Sequence, residues 1–240
     1  MGNRIFDTAL LLVLLLAQAA FVRAADDPER DAFERGGQAY ERGNYRLAIE
    51  EYRQSLGTFG PRYAEAHYNI GVCFNELGQT KEAVTWYRAA IKAKRGRYPA
   101  ALFALGVALE DLGKREEGKT AFKDAIEASG GRHSGALFMF GLALHREGDY
   151  EAAMAYYRRA LAHNNGIFPA CHNNLGVVLA LSGRLHEAES EFDTALGQSK
   201  GRFDDARINL QLCRSLTISR SRSFIANLRT SGGGVATQGQ

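Results

Sequence analysis

Gly36, Gly71, Gly106, Gly141 and Gly176 stand thirty-five residues apart, and so do Gly43, Gly78, Gly113, Gly148 and Gly183. Two glycine series in register commit the chain to a repeat architecture, one structural unit copied five times. Other columns keep the same register. Tyr52, Tyr87, Phe122, Tyr157 and Phe192 form an aromatic series, and Ala48, Ala83, Gly118, Ala153 and Ala188 a small one. Ser55, Ala90, Ala125, Ala160 and Ala195 form a second small series, each followed by Leu56, Ile91, Ile126, Leu161 or Leu196.

Within a unit, Leu102, Leu105, Gly106 and Leu109 fall at i, i+3, i+4 and i+7, one face of a helix. Gly113 ends that helix, because glycine takes the left-handed conformation without a side-chain clash. A second helix is predicted over Tyr150–Ala162, where Ala153, Tyr157, Ala160 and Leu161 share a stripe. Each unit is therefore a helical hairpin. A mid-helix glycine costs up to about 1 kcal/mol of helix propensity, so its recurrence implies a neighbour too close for a side chain. The aromatic column is expected to fill the space between hairpins.

A hairpin cannot bury its apolar face alone, so the units must stack. The expected fold is all-α, a right-handed α-solenoid over residues 25–216. Its repeats are 29–63, 64–98, 99–133, 134–168 and 169–203, followed by a capping helix over 204–216. The cap reads as more polar: Arg207, Leu210 and Arg214 replace the leucines of earlier units, and Gln211 replaces the glycine.

These residues resemble the tetratricopeptide repeat family, whose pattern is met by Leu102, Leu105, Gly106 and Leu109 and by Ala83 with Tyr87. The period here is one residue longer than the family's usual one. The proline that follows the second helix is replaced by linkers such as Gly96-Arg97-Tyr98 and Gly166-Ile167-Phe168. The resemblance implies that first helices line a concave surface that receives a peptide. On that basis Phe33, Tyr68, Phe103, Phe138 and Asn173 form an inward column, continued by Val72, Val107, Leu142 and Val177, with His145 at the far edge. Asn69 and Asn174 share another inward column with Asn209, a broken version of the asparagine ladder by which some members bind main chain. The alternative is that the rings pack sideways and show water only an edge. The family's carboxylate clamp needs a lysine where this chain carries aromatic rings.

The amino terminus reads as a secretory signal over residues 1–24: Arg4, an apolar run from Ala9 to Val22, then small residues before Asp26. That run is shorter than the roughly 20 residues a spanning helix requires. The expectation is an exported protein, periplasmic or extracellular. The formal charge of +3 on the whole chain disfavours a polybasic nucleic-acid binder.

Cys73, Cys171 and Cys213 are read as small buried side chains rather than disulfide partners, and the histidines show no paired-ligand spacing for a metal. No nucleophile elbow, phosphate loop or metalloprotease helix is present, so neither catalysis nor a cofactor is expected. From Ala206 onward no acidic residue occurs, while Arg207, Arg214, Arg220, Arg222 and Arg229 do. The segment 217–240 is read as a basic, partly disordered tail. The leading expectation is a non-catalytic scaffold that binds a partner peptide in an apolar groove within a cell-envelope or secretion-type assembly, without a small-molecule substrate. The second is a membrane-surface protein acting through Arg214, Arg220, Arg222 and Arg229, its repeats serving to dimerise it.

Overall fold

The structure, a computed structural model, describes residues 28–57, 62–219 and 230. The signal segment 1–24, Arg220, Arg222 and Arg229 lie outside the described residues. Among those described, eleven helices and no strand occur. In chain order they are α1 (Pro28–Glu41), α2 (Tyr45–Gln54), α3 (Tyr63–Glu76), α4 (Thr80–Ala93), α5 (Pro99–Asp111), α6 (Arg115–Ala128), α7 (Ser134–Arg146), α8 (Tyr150–Ala162), α9 (Pro169–Leu181), α10 (Leu185–Gln198) and α11 (Asp204–Ser219). The cap therefore continues past residue 216, and the expected boundary between cap and tail falls inside a helix.

The chain divides into two compact units, residues 1–90 and 91–240. In the first, α1 pairs with α2, and α3 follows against α2. In the second, the pairs are α5 with α6, α7 with α8 and α9 with α10, each pair packing on the next, and α11 lies on α10. The core of the first unit gathers Ala39, Ala48, Ile49, Tyr52, Ile70 and Cys73. That of the second is larger and runs from Leu102 to Cys213, with Phe122, Leu137, Tyr157, Leu175 and Phe192 at its centre.

The two glycine columns perform two separate tasks. Gly113, at φ +73°, reverses the chain after α5, and the Lys114 N–H then donates to the Leu109 carbonyl at 2.8 Å. A side chain there would be strained, and the bond satisfies a carbonyl the helix end leaves open. The same reversal closes α1, α3, α7 and α9. Gly106 is needed for space instead. A Cβ on it would sit 2.4 Å from the Phe122 ring, and at Gly36, Gly71 and Gly176 the corresponding ring lies at 2.7 Å. Each ring belongs to the second helix of the same hairpin. The aromatic column thus fills the inside of a hairpin, not the space between hairpins that the sequence suggested.

The second helices from α4 onward end differently. Arg95 and Gly96, Gly130 and Gly131, Asn165 and Gly166, and Lys200 and Gly201 are consecutive left-handed pairs. The second member donates its N–H back five residues, as from Gly166 to the Leu161 carbonyl at 2.8 Å. Two left-handed residues make a longer reversal than one, which is the local form of the longer period.

Candidate functional site

The inward column of aromatic rings is packed rather than open. Phe33 meets Tyr52 with ring centroids 5.3 Å apart, Tyr68 meets Tyr87 at 5.8 Å, Phe103 meets Phe122 at 5.9 Å and Phe138 meets Tyr157 at 5.8 Å. A linker residue covers the other side: the Arg62 guanidinium lies 5.0 Å from the Phe33 ring, His133 4.8 Å from Phe103 and Phe168 4.8 Å from Phe138. Phe33, Phe103 and Phe138 are each held between their own second helix and the linker that follows. Phe33, Tyr68 and Phe103 stay half-buried, whereas Phe138 is buried.

The rest of the expected groove divides in the same way. Asn69, Val72, Val107 and His145 are half-buried, while Leu142, Asn173, Asn174 and Val177 are buried. An open groove at Phe138, Leu142, Asn173, Asn174 and Val177 is therefore not what the structure has, and these five are interior side chains. The reason is polar as well as apolar. Asn209 Nδ2 donates to Asn173 Oδ1 at 2.9 Å, and Asn173 Nδ2 donates to Asn174 Oδ1 at 3.2 Å. Buried amides demand such partners. In the first unit burial pushes the Tyr52 hydroxyl up to about 12, against a hydrogen bond from Asn69. The asparagines are engaged inside the fold.

A cleft opens between α5 and α7. It has a volume of about 230 Å³ and is lined by Val107, Glu110, Asp111, Gly113, Arg115, Met139 and Arg146. Val107 and Met139 give it an apolar floor. Across the rim, Arg146 donates to Glu110 Oε2 at 2.7 Å. Burial and the neighbouring Glu110 carboxylate raise the Asp111 pKa. The site therefore presents a small apolar depression flanked by two acids and two guanidinium groups, which suits an apolar side chain with main-chain polar groups beside it.

Sequence reasoning missed one buried polar cluster. His172, in the first turn of α9, has Nδ1 2.6 Å from Glu191 Oε2 on α10 and Nε2 2.9 Å from the Gly166 carbonyl oxygen. Gln198 Nε2 donates to that same carbonyl at 2.6 Å. Three periods earlier, His67 sits edge-on to Tyr63 at 4.4 Å and beside Trp86 at 5.3 Å, and its Nδ1 is buried without a hydrogen-bond partner. The available signal was the register itself, since Trp86 and Glu191 are also three periods apart.

The three cysteines are buried and in no disulfide. Burial pushes the thiols of Cys73 and Cys213 up to about 12 and about 11, far from the thiolate that nucleophilic chemistry requires. Among the described residues no cluster of three or more metal-ligating side chains exists, and no helix is long and apolar enough to cross a membrane. Arg214, expected to meet a membrane surface, is engaged within the fold: Nη2 donates to Asp193 at 3.1 Å, and Nε lies 3.8 Å from Glu189.

Antiparallel helix pairs of thirty-five-residue period, each with a glycine seated under an aromatic ring, define a class of all-helical hairpin-repeat proteins. The family model for the tetratricopeptide repeat matches residues 33–101 and 103–170, and a second model of the same description matches 144–208. The chain belongs to the tetratricopeptide repeat family. Among solved structures it is similar to PilF of Pseudomonas aeruginosa, at 21% identity over 84% of this chain and 88% of that one, with a TM-score of 0.66. MamA from Desulfovibrio magneticus RS-1 is 16% identical over 74% of this chain and 98% of its own, with a TM-score of 0.61. YrrB, described as a tetratricopeptide protein with an unusual peptide-binding site, is 19% identical over 83% and 97%, with a TM-score of 0.59. No curated protein matches.

Proposed function

We propose that the chain is a non-catalytic interaction scaffold whose second unit receives a peptide segment of a partner protein at the cleft between α5 and α7. The observation that carries this reading is the combination of Val107 and Met139 at the floor with the Glu110–Arg146 pair at the rim. An extended peptide needs one apolar pocket for an anchor and donors and acceptors for its main chain. Membership of a family of interaction scaffolds supports the same reading, and the neighbour YrrB is itself described by a peptide-binding site. The signal-like leader supports a cell-envelope or extracellular setting. The alternative, a membrane contact through the tail, has lost Arg214 to α10 and rests on residues outside those described.

The reading is tested with a photo-crosslinking amino acid placed at Val107 and, as a control, at Lys123, an exposed position on α6. Cells expressing the chain should yield a discrete cross-linked protein from position 107 and none from 123. Val107→Arg should abolish capture when the cross-linker is moved to Arg115. Equal yields from both positions would overturn the assignment of the site. Fractionation of the same cells tests the export reading, which fails if the chain stays with cytoplasmic markers.

A further inference from the structure

The linker between α8 and α9 meets the last hairpin at the Phe168 carbonyl, which accepts from the Cys171 and His172 N–H groups, and at the Gly166 carbonyl, which accepts from Gln198 Nε2 at 2.6 Å and also faces His172. His172 Nε2 approaches the Gly166 carbonyl at 2.9 Å while Nδ1 faces the Glu191 carboxylate at 2.6 Å. Both partners are acceptors. A neutral imidazole has a single N–H, so one ring nitrogen would turn its lone pair toward an oxygen. Only the imidazolium satisfies both contacts. The linker contains the left-handed pair Asn165 and Gly166, and Asn164 Nδ2 bonds the Ile167 carbonyl at 2.5 Å. It also lacks a charge that its counterparts carry: Ile167 stands where the other linkers have Arg62, Arg97, Arg132 and Arg202.

We propose that His172 is a proton-dependent latch: as imidazolium it ties the linker of residues 163–168 and helix α10 to α9, and on deprotonation it lets go of the Gly166 carbonyl. From α10 the ring meets the Glu191 carboxylate. The linker offers a carbonyl. On the α8 side, the thiol of the adjacent Cys171 donates to the Tyr157 carbonyl at 3.4 Å and stays protonated because burial raises its pKa. Burial on its own would lower the His172 pKa, but the bonds to Glu191 and Gly166 outweigh it and the net direction is upward. A base whose pKa rises on folding contributes stability that is complete below its ordinary value of about 6.5. That contribution is lost as pH rises through the folded value.

The test combines histidine NMR titration of the full chain with hydrogen exchange of the peptide spanning 163–168, corrected for intrinsic pH dependence. His172 should titrate above the ordinary histidine value. Linker protection should fall as it does so, with the same midpoint. Glu191→Gln should move both midpoints down together. His172→Gln should leave the linker unlatched at every pH while amides in α5 and α7 keep their protection. The proposal is overturned if His172 titrates at or below about 6.5, or if the linker midpoint ignores Glu191→Gln. Because Glu191 is partly exposed, that variant keeps the test available even if the histidine variant fails to fold.

Discussion

The second and fifth hairpins place a histidine at the same point of the repeat and treat it in opposite ways. His67 in α3 faces Trp86 and Tyr63, two rings, and its Nδ1 has no partner. Burial lowers its pKa, so the neutral ring is favoured. His172 in α9 faces the Glu191 carboxylate, at the position where the second hairpin has Trp86, together with a backbone carbonyl, and the charged ring is favoured. The repeat fixes where a side chain stands and what stands opposite. It leaves the chemistry of the pair to the two residues that happen to occupy those places.

The sharpest break between the two sites comes from replacing each histidine by leucine, the residue present at this point as Leu102 and Leu137. His172→Leu takes the ring donor from the Glu191 carboxylate and leaves the Gly166 carbonyl to Gln198 alone, and should lower unfolding free energy by about 1–3 kcal/mol near pH 6. His67→Leu removes an unpartnered nitrogen while losing ring contacts, and should change stability by less than about 1 kcal/mol. Denaturant titration of the two variants measures the difference. Equal losses would mean that the surroundings of the two rings are energetically alike.

A smaller difference is expected one helix earlier. The Arg53 guanidinium lies 5.5 Å from the Trp86 ring and 5.9 Å from Phe74, whereas Arg158, three periods on, has Glu191 where the indole would be. Arg53→Ala should cost about 0.5–1 kcal/mol, mostly lost cation–π attraction. Arg158→Ala should cost less, and a reversed order of melting temperatures would refute the assignment.

The pH response should separate the sites in sign. His67 has its folded pKa lowered, so its contribution is present above the ordinary value of about 6.5 and is lost as pH falls below it. His172 contributes in the opposite sense. Stability curves of the two leucine variants, each subtracted from the parent chain between pH 5 and 8, should therefore slope in opposite directions. The smallest effect is optical. Trp86 is the one tryptophan of the chain, so intrinsic fluorescence reports on the second hairpin, and protonation of His67 beside the indole should change it. That step should vanish in His67→Leu and survive in His172→Leu.

Much of the fold was legible because its constraints recur at fixed spacing. A glycine such as Gly113 is required wherever the chain reverses at positive φ, and Gly106 wherever a ring such as Phe122 lies against the helix. The left-handed Arg95, Asn165 and Lys200 were not legible, since their residue types carry no such mark. The groove was half legible. Helical phase identifies the face on which Phe103 and Phe138 lie, but not that His133 and Phe168, arriving from the linkers, cover them. The His172 cluster was missed because histidines were compared along one helix, whereas the pairing runs from a first helix to the second helix of the same hairpin.

The seating of a mid-helix glycine under a ring sixteen positions later, as in Gly106 with Phe122, has a consequence for how such a sequence is free to drift. Neither member can change size by itself without a collision or a hole, so each hairpin carries a two-site lock that opens only by paired replacement. The fourth copy is the loosest, since a Cβ on Gly141 would stand 3.0 Å from Tyr157 against 2.4 Å for Gly106 and Phe122. Divergence among the copies should therefore enter this lock first at Gly141, and last at Gly106.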